Sequence, residues 1–254
     1  IVAATGLGKG AIVGMIVGDA VKAGKRVLVF VHRREIVDQL AGHVMMWSGL
    51  ESRIEQGERA EADDDSPVVV ASVQSLVRRF DRFGPDRFDL LVYDEAHHGL
   101  SNTARSVFDH FRSARIVGLT ATPNRGDEKA LGQVFDEVVF EMPLAAAIRQ
   151  GWLAPYRTRR HRLGIDFSEV RRRHGDLVAG DLAEVMGQHD ALREAVGHAL
   201  EDAASLKTLI FCCTRPHMRL VVECVKTMCA ERRVDLPIAC IDGTTPRKER
   251  DQIF

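Results

Sequence analysis

Residues 90–99 read Leu-Leu-Val-Tyr-Asp-Glu-Ala-His-His-Gly, and this stretch decides the fold of the chain. A short apolar run, residues 89–94, ends there in two adjacent carboxylates, Asp94 and Glu95. Similar runs, short and rich in β-branched residues, occupy residues 26–31, 68–72 and 115–120. Unbroken runs of this kind predict strands that are buried on both faces of a parallel sheet.

Amphipathic patterns flank these runs and predict helices at about residues 9–23, 33–48, 73–82 and 103–113. Strands and helices that alternate in this way indicate a doubly wound α/β domain. The acidic stretch at residues 58–67 is predicted to be a solvated surface loop.

Bulk composition narrows the class of protein. The chain has 254 residues, of which 45% are hydrophobic, and a formal net charge of −1. The length fits one large domain or two smaller ones, and the low charge means that any nucleic-acid binding depends on a local groove. No run approaches the ~18 apolar residues of a membrane span. The five cysteines include no Cys-x-x-Cys pair, so we expect core thiols in a reducing cytoplasm rather than disulfides or a zinc site.

Residues 3–10, Ala-Ala-Thr-Gly-Leu-Gly-Lys-Gly, lead directly into an apolar helical pattern. Glycines let backbone N–H groups close around phosphate oxygens, and a helix N-terminus adds favourable partial charge. Gly6, Gly8 and Lys9 therefore fit a phosphate loop. Because glycine is common, a bare Gly-x-Gly arises by chance, and a glycine-rich helix start is the alternative. A phosphate loop also has Ser or Thr after the lysine to bind Mg²⁺, and Gly10 lacks that ligand.

The carboxylates of residues 90–99 are placed for metal and water chemistry, since folds of this kind bind ligands at the C-terminal edge of the sheet. Asp94, at the strand tip, is predicted to hold Mg²⁺ directly or through water, and Glu95 to orient and deprotonate the attacking water. The alternative is a solvated turn after a buried strand. His97 is predicted to relay the nucleotide state through a polar contact.

Taken in order, residues 4–10, 93–97 and 118–123 resemble motifs I, II and III of superfamily-2 helicases of the DEAH-box kind, which are P-loop NTPases. Residues 31–39, 71–76 and 208–217 are similar to motifs Ia, Ib and IV, and residues 241–254 to the segment after motif IV. Residues 136–157 resemble a connection in the branch of type III restriction subunits and excision-repair helicases. The resemblance covers nearly the whole chain.

This resemblance implies a role for individual residues. ATP would be bound by Thr5, Gly6, Leu7, Gly8, Lys9 and Gly10, with Gly8 and Lys9 on the β- and γ-phosphates. Asp94 would hold Mg²⁺ and Glu95 would act on water, while hydrolysis would be coupled to domain movement by His97, Thr120, Ala121 and Thr122. Contacts with a nucleic-acid backbone are implied for Arg34, Ser72, Gln74, Arg215 and Gly243. For Arg34 and Ser72, ordinary helix-start and strand-end chemistry is the alternative.

The implied fold is two tandem RecA-like doubly wound parallel-sheet domains. The first, residues 1–145, lacks most of its first strand, and the second, residues 205–254, is incomplete. Residues 146–204 would connect them through an Arg-rich stretch and a helix at about 181–204. Strands at 207–213 and 237–242 and a helix at about 216–233 are expected in the second domain. Because motifs V and VI, with the family's arginine fingers, lie beyond residue 254, the isolated chain is expected to hydrolyse ATP poorly.

The implied function is that of an ATP-driven helicase or translocase, with DNA favoured over RNA by the branch and with a nuclease or another modification or repair subunit as a possible partner. Gly10 motivates an alternative, a nucleotide-gated nucleic-acid-binding module with a degenerate ATPase. A phosphate-loop enzyme unrelated to nucleic acid, such as a small-molecule kinase, is disfavoured by residues 120–123, Thr-Ala-Thr-Pro. The basic runs at 157–162 and 171–174 either track a strand or, as we favour, form a solvated linker.

Overall fold

The computed structural model describes residues 1–63, 65–98, 101–122, 132–173, 176–203 and 206–253. The chain folds as two compact units, Ile1–Tyr156 and Arg157–Phe254. The domain boundaries expected at residues 145 and 204 remain a prediction. Among the described residues, no helix combines the length and the apolar character that crossing a lipid bilayer requires.

The first unit is built on a parallel sheet. Its strands are β1 (Val2–Ala3), β2 (Val27–Val31), β3 (Arg53–Gln56), β4 (Arg59–Ala60), β5 (Val68–Ser72), β6 (Leu90–Asp94), β7 (Arg115–Leu119) and β8 (Glu141–Met142). Six of them form one sheet in the order β4-β3-β5-β2-β6-β7, in which only the β3–β4 pair is antiparallel. The four strands predicted from apolar runs are confirmed to within one residue.

The short strand β1 lies beside the end of β7. The backbone N–H of Ala3 donates to the Thr120 carbonyl at 2.9 Å, and the N–H of Thr120 donates to the Ile1 carbonyl at 3.0 Å. On its other side β1 pairs in parallel with β8. These bonds bring the residues that follow β1 and those that follow β7 to the same edge of the unit.

Helices cover both faces of this sheet, as a doubly wound domain requires. They are α1 (Lys9–Lys22), α2 (Val37–Ser48), α3 (Val73–Val77), α4 (Asn102–His110) and α5 (Leu144–Arg149). Successive side chains of β2 point to opposite faces of the sheet and so contribute to two cores. Val27, Val29 and Val31 pack with side chains of α1 and α2, whereas Leu28 and Phe30 pack with those of α3 and α4. The α/β fold predicted for this part of the chain is therefore confirmed. Helix α2 begins later than predicted because a 3₁₀ turn, Arg34–Ile36, precedes it.

Glycines let α1 and α2 approach each other closely. A Cβ added to Gly14 would lie 2.6 Å from the Cβ of Trp47 and 2.7 Å from the His43 carbonyl, and one added to Gly18 would lie 3.1 Å from the Cβ of Ser48. Gly10 precedes Gly14 by four residues, so the three glycines lie on one face of the helix. Larger residues on this face would push the helices apart.

The acidic stretch at 58–67 is not the plain solvated loop that its composition predicts. Arg59–Ala60 forms β4, and the guanidinium of Arg79 donates to the Arg59 carbonyl at 2.8 Å. Arg82 donates to the Ala62 carbonyl at 3.0 Å, and both arginines reach the buried carboxylate of Glu55. The predicted exposure is confirmed for residues 58–61, whereas β4 and the arginine contacts were missed. These arginines lie about 20 residues downstream, where a local pattern cannot register them.

In its described part the second unit contains the helices α6 (Ala179–Met186), α7 (His189–Ala203), α8 (Arg215–Glu231) and α9 (Arg247–Ile253), and β9 (Arg172–Arg173) pairs antiparallel with β10 (Asp176–Leu177). Its buried core joins α7 to α8 through Leu192, Val196, Val221, Val225, Met228 and Cys229. The single helix predicted at 181–204 is wrong, because the chain breaks at Gly187 between α6 and α7.

The strands predicted at 207–213 and 237–242 are also wrong, since neither segment forms a strand in the part of this unit that the structure describes. Leu209 is 63% exposed and Phe211 is 88% exposed. A buried parallel strand needs hydrogen-bonded neighbours and a layer of helices on each face. The apolar pattern reports suitability for such a sheet, whereas the sheet itself also requires partner strands.

Gly118 in β7 tests the packing beneath the turn that contains Asp94 and Glu95, which we call the carboxylate turn. A Cβ added there would lie 2.5 Å from the Cζ of Phe135 and 2.8 Å from the Cβ of Ala96. We expect Gly118→Ala to lower the free energy of unfolding of the first unit by about 1–3 kcal/mol, as overpacking usually does. Urea titration followed by tryptophan fluorescence measures this unit alone, because Trp47 and Trp152 both belong to it.

The matched control is Gly42→Ala in α2, where an added Cβ meets nothing within 4 Å. That substitution should raise the stability by about 0.5–1 kcal/mol, because alanine loses less backbone entropy than glycine in a helix. Equal stability of the Gly118 variant and the wild type would contradict the close contact with Phe135 and Ala96.

Candidate nucleotide site

The carboxyl ends of four parallel strands form one row at the edge of the sheet. Val31 of β2 pairs with Ser72 of β5 on one side and with Asp94 of β6 on the other, and Asp94 pairs with Leu119 of β7. The phosphate loop follows β1 at the same edge. The expected meeting of loop and carboxylates at the ligand-binding edge of the sheet is therefore observed.

Residues 5–8 form a tight turn before α1, and two positions of this turn require glycine. Gly6 has φ of 92° and Gly8 has φ of 75°, both in the left-handed region that side chains disfavour. Gly8 is the N-cap of α1, a helix of 14 residues with no acidic residue in its first turn. Its free N–H groups and positive dipole end are thus available to an anion. Thr5, Gly6 and Gly8 are exposed, while Leu7 and Gly10 are half-buried.

Lys9 closes the loop on itself. Its ammonium donates to the carbonyl of Ala3 at 3.1 Å, which joins the first residue of α1 to the last residue of β1. The hydrogen bond thus holds the ammonium beside the loop, and a lysine that follows a phosphate loop is the residue that binds the terminal phosphates of a nucleotide.

Asp94 is a buried carboxylate that lacks a full set of partners. The residue is only 9% exposed, and its Oδ1 is buried without a hydrogen-bond partner among the described residues. Burial and the neighbouring charge of Glu95 raise the pKa of Asp94, while Lys9 and His43 act in the opposite direction. A cation bound near Oδ1 would favour the charged carboxylate and so offset the effect of burial on the pKa of Asp94.

The turn after Asp94 is held in an unusual backbone conformation. Glu95 has φ of 59°, which is uncommon for a residue with a side chain, and such strain accumulates at functional sites. The Glu95 Oε2 lies 3.2 Å from Nδ1 of His97. The side chain remains 31% exposed, so its carboxylate is open to water while the histidine orients it.

His97 connects this turn to the end of β7. Its Nδ1 lies 3.1 Å from Oγ1 of Thr120, and that hydroxyl oxygen accepts from the N–H of Thr122 at 3.2 Å. Thr120 is 3% exposed and Ala121 is half-buried. Of the residues predicted to couple hydrolysis to movement, His97, Thr120 and Thr122 are thus in contact, and Pro123 of the same motif lies outside the described residues.

These residues suit a nucleotide bound with a divalent cation. The loop offers backbone N–H groups and Lys9 to phosphates, and the unpartnered Oδ1 of Asp94 is a hard oxygen ligand of the kind Mg²⁺ prefers. Within the described ranges, no cluster of three or more His, Cys, Asp or Glu residues could hold a metal alone. The expected mode is therefore one carboxylate together with substrate phosphates, which is common for Mg²⁺.

The residues predicted to contact nucleic acid in the first unit differ in exposure. Arg34 is exposed at the start of the 3₁₀ turn after β2. The amide of Gln74 donates to the His32 carbonyl at 3.0 Å. Ser72 is fully buried, and its hydroxyl caps α3 by accepting from the N–H of Ser75 and lying 2.9 Å from that residue's Oγ. The structure thus supports the capping alternative for Ser72, and the nucleic-acid contacts remain predictions.

In the second unit the two residues predicted to contact nucleic acid lie together. Nε of Arg215 pairs with Oδ2 of Asp242 at 2.9 Å, and a Cβ on Gly243 would lie 3.7 Å from an Arg215 nitrogen. Within the basic runs, Arg171 is paired with Asp181 at 2.7 Å, whereas Arg172 and Arg173 are exposed. Neither observation tests binding, so both assignments stay predictions.

His43 is a site residue that the sequence pattern did not reveal. The ring of this histidine, which belongs to α2, stands where a side chain at position 10 would be: a Cβ on Gly10 would lie 2.6 Å from its Cγ. The spacing of Gly10, Gly14 and Gly18 was the available signal, because glycines four residues apart on a predicted helix indicate a closely packed neighbour. That signal predicts a closely packed helix, but it does not predict which residue of that helix contacts Gly10.

The sequence of this chain is similar to those of several known proteins. The family described as type III restriction enzyme, res subunit, matches residues 1–125, which include the phosphate loop, the carboxylate turn and the threonines after β7. The Saccharomyces cerevisiae protein IRC3, named as a candidate ATP-dependent helicase, is 29% identical over 202 residues, covering 76% of this chain and 29% of the relative. An Escherichia coli type I restriction enzyme EcoAI endonuclease subunit is 30% identical over 163 residues, covering 61% of this chain and 20% of the relative.

A solved structure supports the fold. A fragment of a candidate HsdR subunit of a type I restriction enzyme from Vibrio vulnificus superposes with a TM-score of 0.64 at 21% identity, covering 91% of this chain and 41% of that one. At this identity the likeness concerns the fold alone. The chain spans less than a third of the length of the two sequence relatives named above.

Proposed function

We propose that this chain, which is similar to superfamily-2 helicases of the restriction-subunit-like type, supplies the ATP-hydrolysing lobe of a DNA helicase or translocase. One observation carries the proposal: a glycine-cornered loop, the ammonium of Lys9 and the buried carboxylate of Asp94 converge at one edge of the sheet. That set of groups matches the charge and shape of a metal-bound triphosphate.

Each group has a distinct task in this proposal. The N–H groups of the loop hold phosphate oxygens, and Lys9 exchanges the Ala3 carbonyl for the terminal phosphates. Asp94 holds Mg²⁺, which neutralises phosphate charge when bound. Glu95 accepts a proton from the attacking water, in the DEAH-box manner, and His97 orients that carboxylate.

Coupling of hydrolysis to movement would run through the contact between the carboxylate turn and β7. His97 contacts both Glu95 and Thr120. A movement of the Glu95 carboxylate during hydrolysis would therefore shift the His97 ring and, with it, the hydroxyl of Thr120. The N–H of Thr122 depends on the same hydroxyl. This continuous path supports a motor more strongly than a static binding module.

DNA is proposed as the nucleic acid, with a nuclease or another modification or repair subunit as a partner. The support is the likeness to a subunit of a type I restriction enzyme, whose name describes an endonuclease. The alternative of a degenerate ATPase is not favoured. Its motive was Gly10, and the close approach of α2 gives that glycine a packing reason.

The test is ATP hydrolysis by the full-length protein with single-stranded DNA, double-stranded DNA or RNA of equal length. We expect DNA to raise the rate at least threefold and RNA to raise it less, with the Glu95→Gln variant as the inactive reference. Lack of stimulation by every nucleic acid would contradict the motor. Stronger stimulation by RNA would overturn the choice of DNA alone.

A further inference from the structure

Gly10 and His43 occupy each other's space. A Cβ built on Gly10 would lie 2.6 Å from Cγ of His43 and 2.8 Å from its Nε2, closer than real Cβ contacts. A hydroxyl-bearing side chain at position 10 and the observed ring at position 43 therefore exclude one another. The chain lacks the usual hydroxyl and holds an imidazole in the room that it leaves.

The ring lies in the polar part of the site. Its Nδ1 is buried without a hydrogen-bond partner among the described residues, and the same is true of Oδ1 of Asp94. His43 and Lys9 both act electrostatically on the Asp94 carboxyl, so the ring lies near that carboxyl. His43 and the proposed metal ligand Asp94 are therefore neighbours, and each carries a polar atom without a hydrogen-bond partner among the described residues.

The other glycines of α1 meet atoms of a different kind. Gly14 faces the Cβ of Trp47 and a backbone carbonyl, and Gly18 faces the Cβ of Ser48. These neighbours are aliphatic carbon or backbone atoms, as in an ordinary helix contact. At position 10 the nearest atoms are the ring carbons Cδ2 and Cγ of His43, followed by the ring nitrogen Nε2 at 2.8 Å, so an imidazole ring stands there.

We propose that His43 replaces the missing hydroxyl of the phosphate loop and presents a ring nitrogen to the Mg²⁺–triphosphate complex of ATP. The inference rests on the proposed ATP site and adds a binding residue to it. The N–H of an imidazole can donate to a phosphate oxygen, and the unprotonated nitrogen of a neutral ring can accept from a metal-bound water, which is present only with Mg²⁺. The hydroxyl and the imidazole are alternative solutions to one geometric requirement.

The test is a double-mutant cycle at positions 10 and 43, read by the Kd of a fluorescent ATP analogue with Mg²⁺ and with EDTA. We expect His43→Ala to weaken binding about tenfold in Mg²⁺, as loss of a hydrogen bond to a charged group does, and to change it less than threefold in EDTA. Gly10→Thr alone should also weaken binding at least tenfold, since the new Cβ meets the ring. The double variant, Gly10→Thr with His43→Ala, should return to within threefold of the wild type.

Two further variants separate polar contact from packing. His43→Leu fills much the same space without a ring nitrogen, so it should lose the Mg²⁺-dependent affinity as His43→Ala does. Met46→Ala, at a position of α2 that is 73% exposed, is the matched control and should leave both affinities unchanged.

The inference is overturned if His43→Leu binds the analogue in Mg²⁺ like the wild type, or if the double variant binds no better than Gly10→Thr. Failure of the proposed function looks different, because the wild-type protein would then not bind the analogue in either condition. A thermal-shift measurement on every variant identifies one that fails to fold.

Discussion

Replacing Glu95 by glutamine is expected to lower ATP hydrolysis by the full-length protein at least a hundredfold, because general bases contribute roughly 10²–10⁴ in rate. Glutamine keeps the size of the side chain and an oxygen that can accept from His97, so the contact at 3.2 Å can persist. It removes only the capacity to take a proton from water. Phosphate release in the presence of saturating DNA measures the effect.

Nucleotide affinity should separate this variant from one that damages the site. The carboxylate of Glu95 is expected to contact water rather than phosphate, so the Kd of a fluorescent ATP analogue should stay within about threefold of the wild type, which is less than 1 kcal/mol. Asp94→Asn should instead weaken the Mg²⁺-dependent part of that affinity. Glu51→Gln, at an exposed carboxylate beyond the end of α2, is the matched control and should change neither quantity.

Turnover of the Glu95 variant within threefold of the wild type would assign the proton transfer to another group. The left-handed backbone of Glu95 supplies an independent check, since strain of this kind persists only where surrounding contacts hold it. Glu95→Gly relieves that strain. It should therefore abolish turnover without lowering the free energy of unfolding, whereas a purely structural role predicts no loss of turnover.

The position of the carboxylates could be predicted because two local rules agree there. An unbroken apolar run of five or six residues predicts a buried parallel strand, and the ligand edge of such a sheet lies at its carboxyl ends. Those rules place Asp94 beside Val31 and Leu119, as the pairing shows. They depend only on neighbouring residues, and the four strands predicted for the first unit match to within one residue.

Contacts between distant segments could not be predicted in the same way. His43 follows Gly10 by 33 positions, and only the packing of α1 on α2 brings the ring to the loop. From the loop sequence alone, Gly10 therefore indicates only the loss of a hydroxyl ligand for Mg²⁺. In the second unit a local pattern predicts too much. Residues 207–213 have the apolar pattern of a strand, but they pair with no strand in the described part of the chain.

The acidic stretch is the clearest case of a long-range contact that overrides composition. Glu55 is fully buried, and its Oε2 lies 2.6 Å from a nitrogen of Arg79 and 3.1 Å from one of Arg82. Its Oε1 accepts from the N–H of Ala62 at 3.0 Å. One carboxylate thus joins β3 to the segment that carries the two arginines and to the stretch at 58–67.

Glu55→Ala is therefore expected to lower the free energy of unfolding of the first unit by about 3 kcal/mol. Removing one member of a buried ion pair usually costs about 3–5 kcal/mol, because the opposite charge is left without compensation. The lower end applies here, since the side chains of Arg79 and Arg82 are 18% and 35% exposed and can recover some hydration. Urea titration followed by tryptophan fluorescence reports the transition.

A local measurement distinguishes this loss from general weakening. Because Arg79 and Arg82 bond the carbonyls of Arg59 and Ala62, loss of Glu55 should free both arginines and expose the backbone after Arg59 to trypsin. Asp19→Ala is the matched control: its ion pair with Lys22 is more than 80% exposed on the aspartate side, so its removal should cost less than about 0.5 kcal/mol. If Glu55→Ala resembled Asp19→Ala in both stability and cleavage, the carboxylate would not anchor the stretch, and its composition alone would account for its behaviour.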